Sequence, residues 1–554
     1  MTVKIEKSGL LGSDGDLSFG DLSVNDQFLV KRALGKGANR REVMGWLMAS
    51  GATIAAAGSI VSGASEALAM TPKKGGRVRV ATNQHGPADT LDPILFTQSI
   101  DYGRGRMIYN NLVRFNEDLT VGPELALEWE SNPDATEWTF KLRTDVEWHD
   151  GSKFTADDVV FSLQRHVGKD SKSKAKVLVA SVDEWVKIDS HTVKAKLNSA
   201  DAELPIVLGT FHFRIVKAGT TDFSKGIGTG PYRLTEFTPG VRSIHDRNDN
   251  YWNSDHEGPY IDQYEFFAIT DDVARVNALL SGDVHAINSL DPKSYEQVKG
   301  TNGVEMLPMP SGRYPTISCM LDREPGNNPD FVMGLKHLQR RDRILKVIQK
   351  NVGSLGNDQP IGPAYGAGWC KEVNDPPRAY DPDKAKFHLK KSGLSGAELH
   401  VAEVGPGITD MCLLMQRECA KVGFTLNLKK VPNDGYWGAV WMKQPLNVSN
   451  WNMRPSANIM MTLAYKSDAP WNETQWKSER FDQLLAMGRA ELDPKKRYEI
   501  NCEAQKLCSD GSGSLIATHS AYVDGISSKL KGFRRVPIES FGGMEFPEYL
   551  WLDA

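Results

Sequence analysis

The chain has 554 residues, six cysteines and a formal net charge of −4 at pH 7. No segment is strongly basic, which argues against a nucleic-acid-binding protein. The chain is too long for a single hydrophobic core, so we expect two or three domains.

The first 69 residues have the features of an export signal. Arg40 and Arg41 precede an apolar run that ends in the small-x-small pattern of Ala67 and Ala69. A positive segment, an apolar segment and such a cleavage pattern indicate a signal peptide, here of the twin-arginine type with a long amino-terminal region. We expect cleavage after Ala69 and a mature periplasmic protein. A retained anchor is the alternative, but Ser, Gly and Thr residues dilute the apolar run.

Short strands and helices alternate along the mature chain. Alternating apolar residues predict strands at Arg77–Ala81, Trp138–Leu142, Trp185–Ile188 and Thr192–Leu197. Capping residues followed by an acid or by proline predict helices that begin after Thr155, Asp381 and Asp493. A further helix is predicted at Asp272–Leu280. The alternation is typical of the α/β class with mixed sheets.

All six cysteines lie between Cys319 and Cys508. Cys412 and Cys419 share one predicted helix, and Cys502 and Cys508 share another. The spacing within each pair separates the Cα atoms by about 9–10 Å, beyond the reach of a disulfide. Pairing between segments stays open. No zinc-ligand spacing is present, and we expect no cofactor.

One segment of the mature chain carries a specific family pattern. Leu142–Gly151, followed by Phe154–Ser162, resembles the signature of family 5 solute-binding proteins, the peptide, dipeptide and nickel receptors of ABC importers. Further segments that resemble the family follow in the same order: Gly228–Tyr232, Asn250–Trp252, Leu279–Asp283, Asp381–Ala385 and Arg480–Asp482. Within the signature, Trp148 and Phe154 bracket a turn and Thr155 caps a helix, so we expect these residues to be structural.

The resemblance implies a two-lobed periplasmic binding protein fold, type II-like and of the large cluster with an extra subdomain. Mixed sheets flanked by helices would form both lobes, with a hinge between them. The expected parts are a signal peptide at 1–69, lobe I at 70–113, 227–310 and 518–554, the extra subdomain at 114–226, and lobe II at 311–517. Hinge strands are expected near Pro310–Ser318 and Ile516–His519.

The resemblance also implies a function. A periplasmic receptor of this kind captures a small peptide or peptide-like ligand between its lobes and delivers it to the membrane permease subunits of an ABC transporter. The alternative ligands are an opine, an oligosaccharide or another carboxylated solute, and a nickel or haem receptor is a further rival despite the dispersed histidines. We expect a monomer. We also expect no catalytic activity, because no nucleophile elbow or phosphate loop is present.

Ligand clefts combine aromatic walls with a few directed polar groups. The densest candidates in lobe II are Tyr436 and Trp437, followed by Trp451, Asn452 and Arg454. Each tryptophan could instead belong to the core. In lobe I we expect ligand contacts from residues that follow the first strand and its turn: Gln84, His85, Phe96 and Tyr102. Asn83, Arg313 and Tyr314 are further candidates, because they lie beside predicted strand ends.

The loop that carries Arg454 departs from the family pattern. Peptide-binding relatives often place an acid there, which pairs with the amino terminus of the ligand. Here no acid lies between Asp434 and Asp468. An arginine fork matches a carboxylate, so we expect Arg454 to bind a ligand carboxylate or another anion. An exposed arginine, or one paired within lobe II, is the alternative.

Overall fold

The computed structural model describes Val30, Ala57, Gly86 and the ranges 40–49, 60–61, 72–84, 89–254, 258–433 and 435–553. The chain divides into two units, Met1–Lys73 and Lys74–Ala554. In the first unit, the side chains of Arg40 and Arg41 and the whole of Ala67 and Ala69 lie outside the described residues. Among the helices that the structure describes, none has the length and apolar character that a membrane crossing requires.

Strands and helices alternate through the second unit, as predicted. The strands in chain order are β1 (Arg77–Thr82), β2 (Val113–Phe115), β3 (Val121–Pro123), β4 (Ala126–Ser131), β5 (Glu137–Leu142), β6 (Val182–Asp189), β7 (Thr192–Leu197), β8 (Tyr232–Thr238), β9 (Arg242–Arg247), β10 (Gln263–Ala268), β11 (Ala286–Ile287), β12 (Val304–Cys319), β13 (Gly353–Leu355), β14 (Gly396–Val401), β15 (Thr425–Lys430), β16 (Leu446–Trp451), β17 (Ser514–Leu515), β18 (Thr518–Ser527), β19 (Leu530–Lys531) and β20 (Trp551–Leu552).

The α-helices, counted from the first unit, are α1 (Arg40–Ala49), α2 (Ser99–Ile108), α3 (Ala156–Gln164), α4 (Leu204–Leu208), α5 (Asp272–Leu280), α6 (Tyr295–Lys299), α7 (Pro329–His337), α8 (Arg341–Arg343), α9 (Lys371–Asn374), α10 (Pro382–Lys391), α11 (Ile408–Lys421), α12 (Tyr436–Ala439), α13 (Ala457–Tyr465), α14 (Glu479–Ala490), α15 (Pro494–Gly511) and α16 (Ser540–Gly543). Short 3₁₀ turns lie at Pro93–Leu95, Lys176–Val179, Phe223–Lys225, Pro292–Ser294 and Pro363–Gly368, and a π turn at Ile344–Ile348.

The largest sheet has ten strands and mixed direction. Its order is β16-β12-β18-β11-β1-β10-β9-β8, with β13 beside β18 and β17 beside β12. Strand β1 runs parallel to β10 and β11, whereas the pairs made by β12 and β18 are antiparallel. The predicted α/β class with mixed sheets is therefore confirmed.

Strand β12 lies between β16 and β18 in this sheet and pairs with each along a different half of its length. Its first half pairs with β18 as far as Met309, and an irregularity in register follows before Arg313 pairs with Ser520. Its second half pairs with β16, from Tyr314 to Cys319. This change of partner, between Met309 and Tyr314, overlaps the predicted hinge segment Pro310–Ser318.

A separate antiparallel sheet, in the order β4-β5-β7-β6, lies within the predicted extra subdomain. Trp148 and Phe154 are 2% exposed and belong to its core. The predicted capping box is present, because the Thr155 N–H donates to the Asp158 carboxylate at 2.8 Å. The Trp148 ring nitrogen donates to the same carboxylate at 3.3 Å. The family signature thus holds a turn and a helix start together.

One disulfide joins two distant parts of predicted lobe II. Cys370, which precedes α9, bonds to Cys502 in α15, and 132 residues separate them along the chain. The other four cysteines are free and buried. The prediction that neither Cys412–Cys419 nor Cys502–Cys508 forms a bond is confirmed, and the open question of pairing between segments is answered.

The segment Gly228–Tyr232, which resembles the family, packs against the last residue of α2. A Cβ atom at Gly228 would lie 1.8 Å from the backbone oxygen of Ile108, and at Gly230 it would lie 2.5 Å from the Ile108 carbonyl carbon. The Gly230 N–H donates to the Ile108 carbonyl at 2.8 Å. Close approach of two backbones therefore requires glycine here.

We expect Gly228→Ala to destabilise the protein by about 3 kcal/mol or more, because the clash is with backbone that cannot rotate away. Urea unfolding measures this loss. Gly438→Ala is the matched control, since a Cβ atom there meets nothing within 4 Å and alanine favours helix. Equal stability of the two variants would contradict the contact between Gly228 and α2.

Candidate ligand cleft

Two cavities meet at Asn452, in the loop after β16. The larger, named the large cavity, has a volume of about 1010 Å³, and the smaller, named the small pocket, about 270 Å³. Asn452 lines both. The large cavity lies at the upper end of the volumes typical of small-molecule sites, so the two together have room for a ligand and its end group.

Residues of both predicted lobes line the large cavity. Lobe I contributes Asn83, Gln84 and the segment 289–293, and β18 contributes Ser520 and Ala521. Lobe II contributes polar and aromatic side chains from several helices and loops: Arg343, Lys350, Glu403, Arg417, Trp437 and Asn450. The cavity therefore lies between residues assigned to the two predicted lobes.

The large cavity carries charges of both signs. Its cations are Lys293, Arg313, Arg343, Lys350 and Arg417, and its acids are Asp272, Asp291, Glu403 and Asp410. The amino-terminal end of α11 also faces this region, but the Glu403 carboxylate already accepts from the N–H groups of Ile408 and Thr409 at 3.1 and 3.2 Å. This helix end is thus already neutralised.

The small pocket has aromatic walls. The ring of Tyr102 stacks on that of Phe211, with centroids 4.3 Å apart and planes 18° from parallel. His212 lines the pocket as well, and its Nε2 lies 3.0 Å from the Phe96 carbonyl oxygen. Burial, together with the nearby charge of Arg454, lowers the pKa of His212 to about 4. The imidazole is therefore neutral at neutral pH.

Arg454 supplies positive charge to the small pocket. Its backbone N–H donates to the Tyr365 hydroxyl at 3.2 Å, and its guanidinium reaches the carbonyls of Asn452 and Met453 at 3.4 Å. No described carboxylate lies within ion-pair distance of this half-buried guanidinium. The alternative in which Arg454 forms an ion pair within lobe II is therefore not found among the described residues.

The aromatic residues predicted in lobe II have different positions. Trp437 is 48% exposed and lines the large cavity. Trp451 is 6% exposed, stacks on Tyr314 and contacts the ring of Trp471, which itself lines the small pocket. Trp451 therefore lies behind the pocket wall and does not form it.

Tyr436 lines neither cavity. Its hydroxyl donates to the Val448 carbonyl at 2.7 Å and accepts from the Val448 N–H at 3.0 Å. These bonds fix α12 to β16 and use the polar group of the ring. The position of Tyr436 favours a structural role over the predicted ligand contact.

The residues predicted in lobe I are separated by the structure. Gln84 is exposed and lines the large cavity, whereas Tyr102 lines the small pocket. His85 lies outside the described residues. Gln84 and Trp437 therefore share the large cavity, Tyr102 and Arg454 share the small pocket, and Asn452 lies between the two groups.

Two further charged residues line the cleft, and the sequence analysis missed one of them, Glu539. Glu539, from the carboxy-terminal segment, lines the small pocket, and Arg313 of β12 lines the large cavity. The Arg313 guanidinium lies 4.7 Å from the centre of the Tyr522 ring. No motif marks Glu539, because it reaches the pocket only through the return of the chain to lobe I.

Another acid, Glu473, lies behind the loop that carries Arg454, a loop that itself contains no acid. Its buried carboxylate accepts from the hydroxyls of Ser318 and Ser449 at 2.8 and 3.0 Å and from the Trp441 ring nitrogen at 2.6 Å. Burial raises the pKa of Glu473. These three donors give the carboxylate a structural role.

Comparison with known proteins places this geometry in a family. The family model for bacterial extracellular solute-binding proteins, family 5 Middle, matches residues 120–473. The dipeptide-binding protein of Escherichia coli is 26% identical over 498 residues, which cover 81% of this chain and 90% of that protein.

Solved structures show the same fold. The periplasmic binding protein DppA of Helicobacter pylori, in complex with the peptide STSA, has a TM-score of 0.72 at 21% identity, with 87% of this chain and 99% of that one covered. The binding protein AgaA of A. tumefaciens R10, in complex with agropinic acid, has a TM-score of 0.71 at 22% identity, with 86% and 99% covered. The two-lobed periplasmic binding protein fold is thereby confirmed. Because the family model spans well over half of its length, this chain belongs to family 5 of the bacterial extracellular solute-binding proteins.

Proposed function

We propose that this protein is the periplasmic receptor of an ABC importer. It captures a small peptide or peptide-like ligand between its lobes and delivers the ligand to the membrane permease subunits. The observation that carries the proposal is the large cavity, which residues of both predicted lobes line. The E. coli relative and the H. pylori structure, a dipeptide-binding protein and a peptide complex, support the ligand class.

The hinge strands explain how such a cleft works. A ligand that contacts both lobes stabilises the closed arrangement over the open one, because only the closed arrangement makes both sets of contacts. Strand β12 passes from one set of partners to the other at Met309–Tyr314. Rotation at this short segment moves the Trp437 wall relative to Gln84 while each core stays packed.

The position of Arg454 favours a ligand that carries an anionic group. A guanidinium without an ion pair, half-buried beside aromatic rings, gains from a bidentate carboxylate. A peptide carboxy terminus meets this need, and so does an opine. The complex of AgaA with agropinic acid favours the opine as the second candidate. Export by the twin-arginine route, a monomeric state and the absence of catalysis belong to the same proposal.

A thermal-unfolding screen of the mature protein, starting at Met70, tests this function. Dipeptides, tripeptides, opines, oligosaccharides and nickel–histidine are compared at equal concentration. A ligand that binds only the folded state adds about 2.7 kcal/mol of stability at 100 times its Kd. We expect the rise with at least one peptide or opine.

Calorimetric titration then gives the stoichiometry, which we expect to be one. Stabilisation by nickel–histidine or by oligosaccharides alone would contradict the proposed ligand class. Release of hydrolysed product from any bound peptide would contradict a receptor without catalysis.

A further inference from the structure

The small pocket holds two opposite charges that do not neutralise each other. Glu539 comes from predicted lobe I and Arg454 from predicted lobe II, and both line the pocket. Neither has a partner within ion-pair distance among the described residues. A ligand group between them would therefore meet an acid on one side and a guanidinium on the other.

The carboxylate of Glu539 is held in place and desolvated. It is 6% exposed. The Ser99 hydroxyl and the Ser540 N–H donate to its Oε1 at 3.2 and 2.9 Å, so both hydrogen bonds go to one oxygen. A buried carboxylate without a cation is costly, and burial raises the pKa of Glu539. A bound cation would remove this cost.

Arg313 is a cation of this chain that could compete with a ligand ammonium for Glu539. Its charge acts on Glu539, but the guanidinium lies over the Tyr522 ring and makes no ion pair with the carboxylate. Arg454 is held by backbone carbonyls of its own loop. The two arginines therefore leave the carboxylate open to a ligand group.

We propose that the small pocket binds a zwitterionic end group, with its ammonium on Glu539 and its carboxylate on Arg454. Such a group bridges the two lobes, and the aromatic pair Tyr102 and Phe211 forms its wall. The pocket, at about 270 Å³, is too small for a whole peptide-sized ligand, so the remainder extends past Asn452 into the large cavity. This inference rests on the proposed function and deepens it.

The proposal differs from the expectation for this loop in the placement of charges. An acid in lobe II would hold an amino terminus there. Here lobe II presents the cation and the carboxy-terminal segment of lobe I presents the acid. Tight binding should therefore require both a free amino group and a free carboxylate on the end group of the ligand.

Three probes built on a zwitterionic γ-glutamyl end group test it by calorimetric titration: γ-glutamyl-phenylalanine, its N-acetyl derivative and the amide of its γ-glutamyl α-carboxylate. The first keeps both charges of the end group, the second lacks the ammonium and the third lacks the end-group carboxylate. We expect wild-type protein to bind the unmodified dipeptide at least about 30-fold more tightly than the N-acetyl form, because an unmet charge remains buried. In Glu539→Gln, which keeps the acceptor oxygen for Ser99 and Ser540, this difference should fall to about 2-fold.

Glu184→Gln is the matched control, since Glu184 is an exposed carboxylate on β6 outside both cavities. Thermal unfolding without ligand shows whether each variant folds. Equal binding of the unmodified and N-acetyl dipeptides by wild type, or a difference that persists in Glu539→Gln, would overturn the zwitterion subsite and leave the receptor function standing. Binding of none of the three probes would also overturn the zwitterion subsite, whereas the receptor function is contradicted only if the thermal-unfolding screen finds no peptide or opine ligand.

Discussion

Arg454→Ala is expected to weaken binding of a carboxylated dipeptide or opine by about 2–5 kcal/mol, which is about 30-fold or more in Kd. The truncation leaves a ligand carboxylate in a desolvated pocket without its cation. The fold should persist, because the Arg454 backbone N–H keeps its bond to the Tyr365 hydroxyl. Calorimetric titration gives the affinity, and thermal unfolding without ligand gives the stability.

Two further variants sharpen this prediction. Arg454→Lys keeps the charge but loses the planar fork, so we expect an intermediate affinity. Arg480→Ala removes an exposed arginine paired with Glu503, outside both cavities, and should bind like wild type. An Arg454→Ala protein that keeps its affinity for a carboxylated ligand would remove Arg454 from the ligand site.

Removing the disulfide is expected to lower the free energy of unfolding by about 2–5 kcal/mol. The bond closes a long loop between α9 and α15, so its loss frees the unfolded chain. The double variant Cys370→Ser, Cys502→Ser should show this loss in urea unfolding. Its ligand affinity should change little, because neither cysteine lines the large cavity or the small pocket.

The reductant dithiothreitol provides the matched test. It should bring wild-type protein to the stability of the double variant and leave the variant itself unchanged. The oxidising periplasm permits such a bond. Wild-type protein whose stability does not respond to dithiothreitol would contradict the disulfide.

Local features of the fold could be read from the sequence. The helix Asp272–Leu280 has the predicted bounds, and the Asp381 and Asp493 side chains accept from backbone N–H groups at the predicted helix starts. The Trp185–Ile188 and Thr192–Leu197 hairpin corresponds to β6 and β7. Each of these depends on contacts within a few residues, which a single sequence contains.

The candidate site was less predictable because it depends on distant contacts. The rings of Trp451 and Tyr436 resemble cleft walls in composition, but strand register turns one onto Tyr314 and the other onto Val448. Glu539 and Arg454 line one pocket although 85 residues separate them along the chain (539 − 454). The pairing of Cys370 with Cys502 is likewise nonlocal.

A crystal structure of the mature protein with its tightest-binding peptide or opine tests the central claim most directly. We predict the ligand between the lobes, with its carboxylate within about 3 Å of the Arg454 guanidinium and its remainder extending past Asn452 toward Trp437. A ligand bound outside both cavities, or one whose carboxylate faces solvent away from Arg454, would contradict the account.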